Sequence, residues 1–165
     1  MRKIGLISDT HGHFEEKLIG HFSACDEIWH AGDIGNIELA DKLAALKPLR
    51  AVYGNIDGHE IRAVYPRNQR FKCEQVDVWM THIGGYPNRY DPGIRNQLFA
   101  SPPDLFITGH SHILKVMYDK KLKLLYINPG AIGKSGFHKV RTAVRFVIDG
   151  CNIRDLEVIE FQKRY

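Results

Sequence analysis

Apolar and polar positions follow two rhythms along this chain, and each predicts an element. Short apolar runs at 4–8, 28–29, 51–53, 76–81 and 105–108 read as buried strands. Phe14, Leu18 and Phe22 recur four apart among Glu15, Glu16 and Lys17. Leu39, Leu43 and Leu46 fall at i, i+4 and i+7 around Glu38, Asp41 and Lys42. Both patterns predict amphipathic helices. Asp91-Pro92-Gly93 predicts a third helix, with Asp as N-cap, Pro in the first position, and Ile94 and Leu98 on one face. Strand and helix thus alternate through the first half, the pattern of a parallel sheet. Later, the runs 116–118 and 122–127 flank Asp119-Lys120-Lys121, while 143–148 and 153–159 flank Asp149-Gly150. These are hairpins, so antiparallel strands join late. The expected fold class is α/β with mixed sheets, a four-layer αββα sandwich formed by one domain over 1–165. The stretches 84–90 and 130–138 are the most loop-like.

Composition narrows the class. The chain of 165 residues is 44% apolar and 25% charged, ordinary values for a globular domain with a real core. No run is long enough to span a bilayer and no leader pattern precedes Ile4, so the expected location is cytoplasmic, without membrane contact. Cys25, Cys73 and Cys151 are odd in number and far apart, and read as reduced, mostly buried residues. A net charge of +4 is modest, and the basic residues are scattered, with small clusters at Lys120, Lys121 and Lys123 and at Lys163-Arg164. A nucleic-acid partner is therefore not expected.

The chemistry sits where the strands end. The five runs lead to Asp9-Thr10-His11, to Gly32-Asp33, to Gly54-Asn55, to His82, and to Gly109-His110-Ser111-His112. Ligands of open α/β sheets bind at the carboxyl ends of strands, so these residues predict one shared site. Carboxylate, amide oxygen and imidazole together suit a divalent cation. Asp9 with His11, and His110 with His112, have the spacing that puts two strand residues on one side. Gly32, Gly54 and Gly109 each precede a candidate ligand, where the backbone must turn and approach closely.

This string of motifs, D-x-H, G-D, G-N, a lone His and G-H-x-H, resembles the calcineurin-like metallophosphoesterase superfamily. It is most similar to its small stand-alone members, the YfcE-like phosphodiesterase group. The resemblance implies an αββα sandwich and two metal ions. One would be held by Asp9, His11 and His112, the other by Asn55, His82 and His110, with Asp33 bridging both. Asp33 and His82 would carry the catalytic roles, and a bridging hydroxide would attack a small, possibly nucleotide-like phosphodiester. Such paired ions, ~3.5–4 Å apart, clamp the attacking and leaving oxygens. Imidazole-rich ligation favours Mn²⁺, with Ni²⁺, Fe²⁺ and Zn²⁺ compatible.

Two positions depart from the wider superfamily. Where many relatives place a His after the Asn, able to protonate the leaving group, this chain has Ile56. General acid catalysis is worth ~100–10,000-fold, so esters with poor leaving groups should turn over slowly. After Gly32-Asp33 comes Ile34-Gly35-Asn36 in place of the D-R-G continuation of protein phosphatases, so diesters are expected over phosphoproteins.

Nearby residues carry weaker expectations. Asp57 is expected to fix its loop by hydrogen bonds and not to bind metal. His13 and His59 are each either a stand-in proton donor or a solvent-facing loop residue. His30 reads as packed beneath the site, and His21 and His138 as surface. Asn128-Pro129-Gly130 reads as a turn or as a source of backbone N–H groups for substrate, and Lys134 as a solvated residue or a phosphate contact. Trp29 and Trp79 read as core, and Tyr86, Tyr90 and Phe137 as rim aromatics. The alternative function is a non-catalytic scaffold, because the fold also resembles a retromer-coat subunit. Intact ligands argue against that reading. Self-association into a homo-oligomer would be one way for a short chain to complete its pocket.

Overall fold

The computed structural model describes residues 1–162, so Lys163 and Arg164 lie outside the described residues. In chain order the elements are β1 (Arg2–Ile7), α1 (Lys17–His21), β2 (Glu27–His30), α2 (Ile37–Leu46), β3 (Leu49–Ala51) and α3 (His59–Val64). There follow β4 (Asn68–Cys73), β5 (Val76–Thr81), β6 (Gly85–Tyr86), β7 (Arg89–Tyr90), α4 (Pro92–Ala100) and β8 (Leu105–Ile107). The chain closes with β9 (Leu114–Asp119), β10 (Leu124–Pro129), β11 (Val140–Asp149) and β12 (Asn152–Gln162).

Two mixed five-stranded sheets result, in the orders β12-β11-β1-β2-β3 and β4-β5-β8-β10-β9. Each has a parallel centre, β1-β2-β3 in one and β5-β8-β10 in the other, with antiparallel strands beside it: β9, β11 and β12, which the hairpin turns predict, and β4, which they do not. Side chains alternate across each sheet and so sort into layers. Ile4, Leu6, Trp29, Val78, Met80, Leu105 and Ile107 fill the space between the sheets. Leu18, Phe22, Ile28, Leu39, Leu43 and Ile61 pack in a second cluster that joins the first sheet to α1, α2 and α3. Trp79, Phe106 and Tyr126 turn outward to meet Ile94 and Leu98 of α4. The layers are therefore helix, sheet, sheet, helix.

Local chemistry explains the helices. Asn36 caps α2, its side chain accepting from Leu39 N–H at 2.9 Å, and Pro48 follows the helix. Asp91 caps α4 as its sequence predicts, accepting from Gly93 N–H at 2.8 Å with Pro92 at the first position. The first helix is shorter than its periodicity implies. Phe14 lies outside it, no side chain caps its start, and its five residues bury only Leu18. A helix this short holds by packing alone, here with Phe22 pressed into the notch left by Gly5. Among the described residues no helix is long and apolar enough to cross a membrane.

Candidate metal centre

All the strands that carry candidate ligands are parallel members of their sheets, so their carboxyl ends converge at one end of the sandwich. Asp9, His11, Asp33 and Asn55 come from the β1, β2 and β3 ends, and His82, His110 and His112 from the β5 and β8 ends. The two-residue spacing does not operate as strand alternation, however. Asp9, His11, Asp33, His110 and His112 all have positive φ, between 47° and 68°. Left-handed backbone costs a non-glycine residue ~1–2 kcal/mol and persists only where its surroundings enforce it. Here a lattice of backbone bonds does so, including Asp9 N to Gly32 O, His11 N to Asp33 O, Gly109 N to His82 O and Gly133 N to Asp9 O, each 3.0 Å. Tight turns, and not pleats, aim the ligands.

The side chains form two groups. Asp9, His11 and His112 each offer one atom within 4.8 Å of the others, and so do Asp33, His82 and His110. Nε2 of His112 lies 3.2 Å from Asp9 Oδ1, and Nε2 of His82 lies 3.2 Å from Asp33 Oδ2. Asp33 Oδ2 is also 3.6 Å from His11 Nε2, so Asp33 stands between the groups. Asp9 Oδ1, His11 Nε2 and His82 Nε2 are buried with no hydrogen-bond partner, although burying such atoms alone is costly. Those orphaned lone pairs point into one space and fit a cation. Asn55 sits exposed at the mouth, on the loop after β3, and shares with His82 a cavity of about 230 Å³.

Support from beneath fixes each ligand. Ser8 hydroxyl and His110 N–H donate to Asp9 Oδ2 at 2.6 and 3.1 Å, which leaves Oδ1 facing the cluster. Ile56 N–H donates to Asp33 Oδ1 at 3.1 Å. His82 Nδ1 donates to Ala31 O at 2.7 Å, so Nε2 keeps its lone pair for a metal. The glycines before the ligands are close-approach points: a Cβ on Gly54 would sit 2.0 Å from Asp33 Oδ1, and one on Gly32 2.6 Å from His82 Nδ1. Electrostatics follow. Burial pushes the Asp9 carboxyl up, but the imidazoles of His11, His112 and His82 beside it outweigh that and hold Asp9 well below the usual carboxylate range. His11 is raised chiefly by the neighbouring Asp9 carboxylate, and for His82 burial pushes down but Asp33 and Asp9 more than offset it and raise the ring. Protons therefore compete with a cation for these nitrogens, and cation uptake weakens as pH falls.

The flanking residues divide. Asp57 is buried and fastens loops, its oxygens accepting from Ile34 N and Gly35 N at 3.1 and 2.8 Å and from Gly54 N at 2.8 Å. Asp57→Ala strands three amides, each worth ~1–3 kcal/mol when buried, and should lower Tm by at least about 6 °C in calorimetry. A loss under 2 °C would show that the loops hold without it. His30 is fully buried, receives Gly32 N–H on Nδ1 at 3.1 Å, and bonds Thr10 Oγ1 through Nε2 at 2.9 Å. Burial pushes its pKa down to about 4, so it packs there as a neutral ring, as its position implies. Asn128 is also structural, its Nδ2 donating to Gly109 O at 2.9 Å and to Ser111 Oγ at 3.1 Å.

Other expectations need correction. His138 is not a free surface residue: its ring packs on His112 at 5.1 Å and its Nε2 bonds Gly133 O at 2.9 Å. Tyr90 is no rim aromatic, because it is buried and donates to Asp119 Oδ2 at 2.6 Å. Cys151 is exposed while Cys25 and Cys73 are buried, and all three are free. His13 faces Glu15 at 3.6 Å, and Glu15 in turn pairs with Arg141. His59 opens α3 in solvent. Ser8, which supports Asp9, has no sequence signal beyond a hydroxyl at the end of an apolar run.

A domain description matches residues 2–150, that of the calcineurin-like phosphoesterase superfamily, and the chain belongs to this family. It is 31% identical over 134 residues to a probable metallophosphoesterase of Methanocaldococcus jannaschii, covering 78% of this chain and 67% of the relative. Among solved structures, an archaeal phosphodiesterase superposes with a TM-score of 0.76 at 21% identity, over 95% of this chain and 99% of that one. Zinc-bound Vps29 of Entamoeba histolytica gives 0.75 at 14% identity, over 98% and 99%. At those identities the two structures speak for the fold alone.

Proposed function

We propose that this protein is a dinuclear metal-dependent phosphodiesterase. Asp9, His11 and His112 would hold one cation and Asn55, His82 and His110 the other, with Asp33 shared. The observation that carries the reading is the set of buried, unpartnered ligand atoms on Asp9, His11 and His82 that face Asp33 Oδ2. Two divalent ions, when bound, supply an activated water and a Lewis acid for the phosphoryl oxygens. The protein's own part is alignment. Asp33 sets the spacing between the two ligand groups, and the His82 bond to Ala31 O keeps the ring's lone pair inward. Two carboxylates against two dications leave the site positive, which suits an anionic phosphate ester. Ile56, half-exposed at the mouth, offers no proton to a leaving group, so diesters with good leaving groups are favoured. Mn²⁺ fits the imidazole-rich set. Substrates would be small diesters, and three free cysteines accord with a reducing cytoplasm.

A second reading, a scaffold for a partner protein, draws on one observation. Ile113 and the β9 side chains Val116, Met117 and Tyr118 are exposed along the edge of the second sheet. One experiment separates the two. EDTA stripping should abolish hydrolysis of bis-p-nitrophenyl phosphate, and Mn²⁺ should restore it, with p-nitrophenyl phosphate cleaved more slowly. Mn²⁺ at ~100 times Kd should also raise Tm by about 5–10 °C, from ~2.7 kcal/mol of binding linkage. Metal-dependent stabilisation with no turnover of either ester, under several metals, would move the assignment to the scaffold.

A further inference from the structure

The cavity beside His82 has a composition that metal binding does not require. Arg62 and Arg67 line it together with Tyr53, Asn55 and Thr81, and no carboxylate is among its lining residues. Neither guanidinium pairs with an acid among the described residues, although several arginines elsewhere do. Arg62 is also held in place. Its Nε donates to Asp57 O at 2.6 Å, its Nη2 reaches Asn55 O at 3.4 Å, and its plane lies 4.6 Å from the Tyr53 ring centre. Two of its donors are thereby used on backbone, and the others remain for a ligand. A fixed guanidinium loses little freedom on binding and matches phosphate oxygens in a fork. Arg67 is exposed and uncommitted to any side chain among the described residues.

The cavity's about 230 Å³ is below the ~300–1,000 Å³ that takes a whole drug-sized ligand. It has room for one arm of a substrate whose reacting phosphate lies at the metal centre. His82 and Asn55 line both spaces, so one molecule can occupy them together.

We infer that Arg62 and Arg67 form a subsite for a second phosphate, and that the preferred substrates are phosphodiesters carrying a further phosphate group on one arm. The inference rests on the phosphodiesterase reading. Its test compares two esters with the same leaving group, thymidine 5′-(p-nitrophenyl phosphate) and its 3′-phosphorylated counterpart, on the Mn²⁺-loaded full chain. In each, water's oxygen joins phosphorus, the bond to p-nitrophenolate breaks, and a nucleoside 5′-phosphate remains. The 3′-phosphate should raise kcat/KM at least about tenfold, mostly through KM, a difference of ~1.4 kcal/mol. Arg67→Gln should reduce that ratio to within about twofold, and Arg67→Lys should recover part of it. Equal turnover of both esters by the wild type, or an undiminished ratio in Arg67→Gln, would overturn the subsite and leave the phosphodiesterase standing. If neither ester is cleaved, the phosphodiesterase reading fails and a metal-free titration decides the subsite. Inorganic phosphate in EDTA, followed by ³¹P line broadening, should then bind the wild type saturably and Arg67→Gln at least fivefold more weakly. Equal or absent binding in that titration overturns it.

Discussion

If the proposed phosphodiesterase activity is right, Asp33→Asn will lower diester hydrolysis by about 1,000-fold or more, equivalent to ~4 kcal/mol of barrier. The substitution keeps size and shape, and the new amide oxygen can still accept the Ile56 N–H that Asp33 Oδ1 receives. What disappears is the negative charge on the one side chain that stands 3.6 Å from His11 and 3.2 Å from His82. Without it, two dications would repel across the gap with only Asp9 to compensate, so metal content should fall from two ions per chain toward one. Elemental analysis beside steady-state kinetics checks both effects. Retention of two ions with activity within tenfold of the parent would remove Asp33 from the bridge.

Ile56→His is expected to work in the opposite direction. Ile56 is 46% exposed on the loop that carries Asn55, so an imidazole there costs little packing. Its contribution should depend on the leaving group. For an alkyl diester, whose leaving alkoxide needs a proton, turnover should rise ~10–100-fold, and the pH–rate profile should gain a descending limb on the alkaline side. For p-nitrophenolate, which leaves unaided, the gain should be under threefold. Equal acceleration of both esters would show that the new ring acts by some means other than proton donation.

Much of this site is legible in the sequence because apolar strands run straight into their ligands. A run such as Val76 to Thr81 has one reading, a buried strand, and the polar residue that ends it has few reasons to be there besides function. The same logic exposes Asp57, whose place just past Asn55 suits a loop-fastening carboxylate. The strand β4 is not legible in the sequence. It lies on a sheet edge and alternates exposed Asn68, Arg70 and Lys72 with partly buried Gln69 and Phe71, so its apolar signal is diluted. Local pattern also overstates α1, since Phe14 has helical spacing but no cap to start a helix behind it. The left-handed turns at Asp9, His11 and Asp33 are illegible for another reason. Aspartate and histidine adopt positive φ more readily than most residues but do not require it; the bonds that enforce it come from residues distant in the chain. Tyr90 illustrates the same limit, packed with Ile94, Leu98 and Phe106 and bonded to Asp119, 29 positions along the chain.

The candidate ligands come from both sheets, which would give bound ions a mechanical meaning. Asp9 and His110 are 101 positions apart, yet the His110 amide already rests on the Asp9 carboxylate. Closing so long a loop costs chain entropy, and a site drawn from both sheets is complete only once they have come together. Metal should therefore act as a rivet set in a finished frame, doing little to hasten folding and much to slow the parting of the sheets. Persistence against heat and proteases would then follow the supply of metal as closely as activity does.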